Sequence, residues 1–204
     1  MNRVLRILLI ALAILVLLGL FFGLTGDKDY HVKRTADINA PVDVIFPLIS
    51  NLKKMNDWSP WVAKDPDIVN TYEGDDGTVG SINRWEGNDQ VGVGEQEITK
   101  IVPNQRVETQ LRFKKPYEDQ SDSYIEVAPG EGGSSVTWGL TGEIPFMQRV
   151  MFGFMRMNLD KAVGPEFENG LAALKGQAEK VYADFQAAEA AKAAEVTTEE
   201  ASSE

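Results

Sequence analysis

Apolar residues recur at helical spacing through the C-terminal third of the chain. They stand three or four positions apart, at Leu159, Val163, Phe167, Leu171, Leu174, Ala178, Val181 and Phe185. This spacing places them on one side of a helix, and that side must be buried against another part of the protein. Gly164 and Pro165 interrupt the pattern near its start, so we expect the helix to kink or restart there.

Residues 30–142 follow a different pattern, in which short alternating runs are separated by turn residues. The clearest run is 106–113, where apolar and polar side chains alternate as they do on a half-buried strand. Gly92 and Gly94 within another run indicate a bulge or a close approach. Strands are predicted at 30–38, 68–72, 79–85, 91–102, 106–113, 121–128 and around 136–140. Two short helices are predicted between the first two strands, near 41–49 and 51–57.

These two patterns together predict an α+β fold. Short turns join most of the strands, so the sheet should be an antiparallel meander. The simplest partner for the apolar side of the long helix is a curved sheet wrapped around it. A sheet that grips one long helix tends to leave a cavity between the two, and we look for function in that cavity.

The N-terminal part is strongly apolar. Residues 7–24 form an unbroken apolar run, which as a helix would span about 27 Å, close to the hydrocarbon thickness of a bilayer. A cleaved signal peptide is the competing interpretation, but its apolar region is usually shorter, and the segment 24–27 is a poor cleavage site. We therefore predict a retained transmembrane anchor over residues 1–26.

The orientation of this anchor is predicted from the charges that flank it. Arg3 and Arg6 lie directly before the apolar run, whereas Asp27 and Asp29 partly offset the basic residues that follow it. Positive charge favours the cytoplasmic side of a membrane. We expect a single-pass protein with a cytoplasmic N-terminus and an extracytoplasmic, for example periplasmic, domain.

Composition limits the remaining possibilities. Residues 27–182 are long enough for one domain with its own core, and the acidic, alanine-rich segment 183–204 is predicted to pass from frayed helix into disorder.

The chain has a net charge of −11 and no cysteine. The charge does not favour nucleic acid as a partner, and the lack of cysteine excludes disulfides and thiolate chemistry. The oligomeric state does not follow from the sequence.

Several short motifs, in this order of elements, carry a resemblance to a known superfamily. They are Ile38-Asn39-Ala40-Pro41, Asp57-Trp58-Ser59-Pro60-Trp61, Trp85-Glu86-Gly87-Asn88, Gly92-Val93-Gly94-Glu95, Val136-Thr137-Trp138 and Gly164-Pro165-Glu166-Phe167-Glu168. From about residue 30 to 180 the chain resembles SRPBCC proteins of the START and birch-pollen-allergen type. More narrowly, it resembles the membrane-anchored members described as polyketide cyclase/dehydrase and lipid transport.

The resemblance implies a helix-grip fold that binds a lipid or another hydrophobic small molecule in its cavity. The same scaffold hosts other activities, so two alternatives stay open, a cyclase or dehydratase-like enzyme and a non-catalytic interaction module. Glu95 or Tyr124 beside a deep cavity would favour the enzyme. A filled interior with an exposed apolar patch would favour the interaction module.

The candidate cavity residues are mostly aromatic. They are Trp58, Trp61, Tyr72, Arg84, Trp85, Glu95, Phe113, Tyr124, Trp138, Phe154 and Met155. The first two tryptophans flank a proline, and they would form either a gate to the cavity or a plug at one end of the sheet. The arginine and the glutamate would form either a buried polar pair or an exposed cross-strand pair.

Two further features complete the sequence-based expectations. Residues 146–157 are rich in methionine and phenylalanine, which suits variable apolar ligands, a helix resting near the bilayer, or simple filling of the core. His31 is the sole histidine, and we expect it to be solvated. The sequence shows no acid and base set, no metal-ligand spacing and no phosphate loop, so no catalytic residue, metal or cofactor is predicted.

Overall fold

The computed structural model describes residues 2–202, and the side chains of residues 2–195. The elements in chain order are α1 (Arg3–Thr25), β1 (Asp29–Ile38), α2 (Val42–Ile49), α3 (Leu52–Asp57), α4 (Pro60–Lys64), β2 (Val69–Glu73), β3 (Ile82–Glu86), β4 (Val93–Val102), β5 (Arg106–Lys115), β6 (Asp119–Gly130), β7 (Gly133–Glu143), α5 (Phe146–Met155) and α6 (Leu159–Ser202). The predicted α+β class is confirmed.

The strands form one seven-stranded antiparallel sheet in the order β1-β7-β6-β5-β4-β3-β2. Strands β2 to β7 follow one another as the predicted meander, because turns or short loops join them. The first strand closes the order by pairing along its length with the last, with Val32 opposite Leu140 and Ile38 opposite Ser134. The sheet curves around α6, which is the helix-grip arrangement that the resemblance implies.

The core lies between the concave face of the sheet and α6. The side chains of Phe167, Leu171, Leu174 and Ala178 are buried there, as the helical spacing predicts. The helix does not restart at Pro165 but passes through it as one helix, because a proline removes a backbone hydrogen bond without stopping a helix whose next turn is anchored in the core. One expectation about this helix is wrong: its last two predicted core positions, 181 and 185, are exposed.

The helix α6 continues past the globular part of the chain. The structure describes it as helical to Ser202, and the side chains of residues 183–195 are exposed. Residues 203 and 204 lie outside the described part. The division of the chain at residues 26 and 182 stays a prediction.

The first helix stands apart from the core. Within the described residues, α1 is the one helix long and apolar enough to cross a membrane, although a signal sequence would have the same length and composition. Nearly all of its side chains are exposed, and its last turns pack against α5 through an edge-on contact between Phe22 and Phe154 at 5.2 Å. A single N-terminal apolar helix is therefore present.

Candidate functional site

A cavity of about 830 Å³ lies between the concave face of the sheet, the helices α3 to α5 and the first turns of α6. Its volume is within the range of small-molecule sites, about 300 to 1,000 Å³. The first turns of α6 are held to β1 by the ion pair of Arg34 with Asp160 at 2.8 Å, and on the inner side of these turns Leu159 and Val163 line the cavity. The sheet and the helix therefore do not fill the interior.

One wall of the cavity is a cluster of aromatic rings. Trp138 on β7 stacks on Phe167 of α6, with the ring centroids 4.2 Å apart and the planes 4° from parallel. Trp58 and Trp61 meet Trp138 edge-on, with centroids at 5.2 and 5.7 Å. Edge-to-face and stacked rings attract each other beyond the area they bury, so this wall holds its shape.

Two of the three indole N–H groups of this wall, those of Trp58 and Trp138, are paired within the protein. The indole Nε1 of Trp58 donates to the carbonyl of Leu48 at 3.1 Å, and that of Trp138 donates to Ser123 Oγ at 3.2 Å. Ser123 in turn donates to the carbonyl of Gly139 at 3.0 Å. With their N–H groups satisfied, the indoles present apolar surface to the cavity. Trp58 is only 3% exposed, so it both seals the end of the sheet and lines the cavity.

A second aromatic pair lies on the neighbouring strands. Trp85 on β3 contacts Phe113 on β5 edge-on, with the centroids 5.7 Å apart. Gly94 lies between them on β4, and a Cβ atom there would come within 2.5 Å of the Trp85 ring. The register also shifts between Val93 and Gly94. The predicted bulge or close approach is confirmed, and it lets the Trp85 ring lie flat against the sheet.

A few polar groups line the same cavity. The hydroxyl of Tyr30 lies 2.6 Å from Ser121 Oγ, and both residues line the cavity with Asp119. Burial raises the pKa of the Tyr30 hydroxyl, and the nearby Asp119 contributes in the same direction. Burial also raises the pKa of the Asp119 carboxyl. The protonated Tyr30 hydroxyl can both donate and accept a hydrogen bond.

Two asparagines add unpaired acceptors. The side-chain oxygens of Asn70 on β2 and Asn83 on β3 are buried and receive no hydrogen bond from the described residues. Both residues line the cavity. A buried polar atom without a partner costs about 1 to 3 kcal/mol, so a donor placed beside it is stabilising. The wall near the sheet edge therefore offers acceptors inside a mainly apolar space.

Comparison with known proteins places this fold and cavity in a family. Residues 29–179 match the family described as polyketide cyclase / dehydrase and lipid transport. The chain belongs to this family. The resemblance drawn from the sequence motifs is thereby confirmed. No curated protein matches the chain significantly in sequence.

Solved structures of low sequence identity share the family fold. An uncharacterised protein from Rhizobium leguminosarum is 15% identical, covers 75% of this chain and 96% of its own, and has a TM-score of 0.57. A protein from Chromobacterium violaceum is 14% identical over 73% and 96% of the two chains, with a TM-score of 0.53. The major latex-like protein 151 of Panax ginseng is 13% identical over 74% and 97%, also with 0.53.

The structure brings five of the predicted site residues into the family cavity. They are Trp58, Trp61, Trp85, Phe113 and Trp138. Tyr72 lies on the edge strand outside the cavity, where its hydroxyl accepts a hydrogen bond from Asn56 Nδ2 at 2.8 Å. The amino group of Lys53 lies 5.3 Å from its ring centre. The edge position explains this difference, because the helix α3 and the end of β2 hold the ring away from the interior.

Arg84 and Glu95 lie on the convex face of the sheet, not in the cavity. They are cross-strand partners, and Arg84 Nε donates to Glu95 at 3.2 Å. The hydrogen bond from Arg112 at 2.8 Å is the main cause that lowers the pKa of the Glu95 carboxyl, with Lys114 adding to it. Successive residues of a strand face opposite sides. Because Asn83 faces the cavity, its neighbour Arg84 faces out.

Tyr124 also lies on the convex face. Its hydroxyl is 3.1 Å from His31 Nε2, and the guanidinium of Arg106 lies 4.0 Å from its ring centre. The ring rests over Gly139 of the neighbouring strand, where a side chain would overlap it. The inward positions of β6 belong instead to Ser121 and Ser123, and strand alternation again explains the placement.

Phe154 and Met155 lie on the last turn of α5 and do not line the cavity. Phe154 contacts the first helix, and Met155 is exposed. The side of α5 toward the cavity carries Met147, Met151 and Phe152. The sequence favoured an adaptable apolar segment here without indicating which side of the helix faces inward.

Sequence reasoning missed the polar lining. Tyr30, Asn70, Asn83 and Ser121 were not predicted as site residues, although each lies within a predicted strand or beside one. A polar residue at an inward strand position was the available signal. Within the described part of the chain, no group of three or more histidine, aspartate or glutamate side chains could hold a metal ion.

Proposed function

We propose that the protein binds a lipid or another hydrophobic small molecule in the 830 Å³ cavity while α1 holds it at a membrane. The observation that carries the proposal is the cavity itself, which is lined mainly by aromatic and aliphatic side chains. The family description, which includes lipid transport, supports the same class of ligand.

The driving force is the removal of apolar surface from water. Each Å² of apolar surface that leaves water contributes about 25 cal/mol, and the aromatic wall presents such surface, with the N–H groups of Trp58 and Trp138 paired within the protein. Tyr30 and Ser121, with the acceptors of Asn70 and Asn83, would receive a polar end group that carries a donor. The proposed ligand is therefore a mostly apolar molecule with one hydrogen-bonding end.

The tryptophans provide a direct test. The chain has four tryptophans, all of which line the cavity, and α1 contains none. A dibrominated fatty acid quenches indole fluorescence on contact. Titrating dibromostearic acid into the full-length protein in phosphatidylcholine vesicles should give saturable quenching. Quenching that only rises linearly with added fatty acid, as for simple partition into the bilayer, would contradict the proposal.

A matched pair of variants on α6 separates the cavity from the surface. Val163 lines the cavity, whereas Val181 is exposed on the same helix. Val163→Phe should occupy ligand space and weaken binding by about tenfold, a change of about 1.4 kcal/mol. Val181→Phe should leave the titration unchanged. Equal titrations for the two variants would place the fatty acid outside the cavity.

The two alternative functions lack the observation that would favour each. An enzymatic function would be favoured by Glu95 or Tyr124 beside the cavity, but both residues lie on the convex face of the sheet. A role as an interaction module would be favoured by a filled interior, but the interior contains the large cavity. Binding is thus the function with the strongest support.

A further inference from the structure

The helix α5 is apolar, yet none of its residues is buried. It forms part of the cavity wall and also borders a second cavity of about 540 Å³ between α1, α5 and β1. On its outer side Met155 is 61% exposed, and Phe154 is also exposed. A helix of this composition requires an apolar partner beyond the domain.

The contact of α5 with α1 is close because glycines face aromatic rings. A side chain at Gly23 would overlap the ring of Phe146, and one at Gly153 would overlap the ring of Phe22. Small residues let helix backbones approach each other. The two helices are therefore fitted to each other, which fixes the position of α5 relative to α1.

The contacts also give the direction of α5. A Cβ atom at Gly19 would lie 3.7 Å from Val150, and one at Gly26 would lie 3.3 Å from Arg149, so two distant points of α1 meet the middle of α5. By contrast, the adjacent residues Phe22 and Gly23 of α1 contact opposite ends of α5, since Phe22 meets Gly153 and Gly23 meets Phe146. This pattern requires α5 to cross α1 transversely. A helix transverse to a membrane-spanning helix lies along the membrane surface.

The depth of the crossing matches the membrane interface. The apolar run of α1 ends at Leu24, and Gly19 lies five residues before it, or about 7.5 Å along the helix axis. Interfacial helices bury their apolar side about 5 to 10 Å into the boundary between headgroups and acyl chains. The contact segment of α1 from 19 to 26 thus places α5 at that boundary.

The charge of α5 fits an anionic lipid surface. The chain has a net charge of −11, yet the segment 146–157 contains Arg149 and Arg156 and no acidic residue. The guanidinium of Arg149 lies 5.6 Å from the ring centre of Phe146, as basic groups do when their stems rest on apolar surface. Basic residues beside apolar ones favour binding at the surface of anionic bilayers.

The opening of the cavity lies on the same side. Several lining residues are also exposed, among them Met147 of α5 at 72%, Tyr117 at 68%, and Asp89 and Gln90 in the turn between β3 and β4. A residue that both lines a cavity and faces outward marks its mouth. The mouth therefore lies between α5, the connection from β5 to β6 and the turn between β3 and β4.

From these contacts we propose that α5 lies in the surface of an anionic lipid bilayer and forms the mouth of the cavity, so that ligand exchanges directly with the bilayer. This inference rests on the proposed function, in which α1 spans the membrane. The partner is a lipid surface, and Met147, Phe154 and Met155 are the side chains that enter it.

The placement can be measured by spin labelling, because the chain has no cysteine. Single cysteines replace Met147, Met155 or, as a control, the exposed Val79 between β2 and β3. Each labelled full-length protein is reconstituted in vesicles of equal parts phosphatidylcholine and phosphatidylglycerol. The labels at 147 and 155 should be more accessible to oxygen than to a water-soluble nickel chelate, and the label at 79 should show the reverse.

Two results would overturn the placement. Labels at 147 and 155 that behave like the label at 79 would put α5 in water. Labels shielded from both reagents would show that protein covers α5. If the labels reach membrane depth but dibromostearic acid does not quench the tryptophans, the proposed function fails and the placement stands. If quenching occurs while the labels remain in water, the placement fails and ligand binding stands.

Direct exchange of ligand between the bilayer and the cavity can be tested by a separate kinetic measurement. Dibromostearic acid is supplied in donor vesicles, and the rate of tryptophan quenching is followed. Met155→Glu places a charge on the lipid-facing side and should slow quenching several-fold relative to wild type. Phe185 is exposed on α6 beyond the buried part of that helix, so Phe185→Glu should leave the rate unchanged. Equal rates for the two variants and wild type would overturn the direct route from the bilayer.

Discussion

At the scale of single residues, the cavity depends on a small number of side chains that hold one another. Phe167 is the central case, because it is 1% exposed, stacks on Trp138 and also meets Trp61 edge-on. Its position on α6 fixes the distance between the helix and β7. The ring therefore supports both the core and the cavity wall.

Truncation of this ring should be costly. Phe167→Ala should destabilise the protein by about 3 to 5 kcal/mol, the usual cost of removing a buried phenylalanine. Phe185→Ala, at an exposed position of the same helix, should change the free energy of unfolding by less than about 0.5 kcal/mol. Urea unfolding followed by circular dichroism measures both. Equal losses for the two variants would contradict the central role of Phe167.

The sequence was informative about aromatic residues and less so about strand faces. The four tryptophans line the cavity, in keeping with the tendency of large rings to be buried. Of the two arrangements open for Arg84 and Glu95, the structure has the cross-strand pair on the convex face, which Tyr124 shares, and both faces of β3, β4 and β6 carry polar residues. When neither face is clearly apolar, alternation does not reveal which side turns inward.

At the scale of elements, the convex face of the sheet is held by charge pairs that cross strands. Glu95 on β4 receives hydrogen bonds from Arg84 on β3 and from Arg112 and Lys114 on β5. Arg112 also binds Glu97. Because these pairs join three neighbouring strands, they fix the register opposite the second aromatic pair of the cavity.

This network predicts a pH-dependent contribution to stability. The pKa of Glu95 is lowered in the folded protein, so its carboxylate stabilises the fold above the ordinary carboxyl range, about pH 4. That contribution is lost as the pH falls through the lowered pKa. At pH 7, Glu95→Gln should cost about 1 kcal/mol, and the difference from wild type should vanish at low pH. Urea unfolding across a pH series measures this.

The control for the pH series is Glu131→Gln, because Glu131 is exposed in the turn between β6 and β7. This variant should follow wild type at every pH. A constant difference between Glu95→Gln and wild type, independent of pH, would contradict an electrostatic origin.

Two helices were difficult to predict from the sequence. The short helix α4 begins with Pro60, which suits a first turn, but it was not among the predicted helices, and α6 passes through Pro165.

At the scale of the whole molecule, periodicity was sufficient to predict the fold class, the meander and the long helix. The size of the cavity could not be predicted, because it depends on how several elements far apart in the sequence, the strands, α3 to α5 and the first turns of α6, come together around it. The sequence also does not show at which residue the buried side of α6 ends. Val181 and Phe185 continue the helical spacing, but the helix has already passed the sheet.

The exposed end of α6 leads to a prediction about the division of the chain. Deletion of residues 183–204 should change the free energy of unfolding by less than about 0.5 kcal/mol and leave fatty-acid quenching intact, because residues 183–195 contribute only exposed side chains. Deletion of residues 175–204 removes buried Ala178 and partly buried Tyr182 and should be strongly destabilising. A large loss from the shorter deletion would move the domain boundary.

Only residues 26–28 separate α1 from β1. With α1 in a membrane, this connection is too short for the domain to swing outward or to reach a second, facing membrane. Under the proposed function, a ligand taken up by this domain would not be carried across an aqueous gap. It would pass to another component of the same leaflet by lateral encounter, or return to the place from which it came.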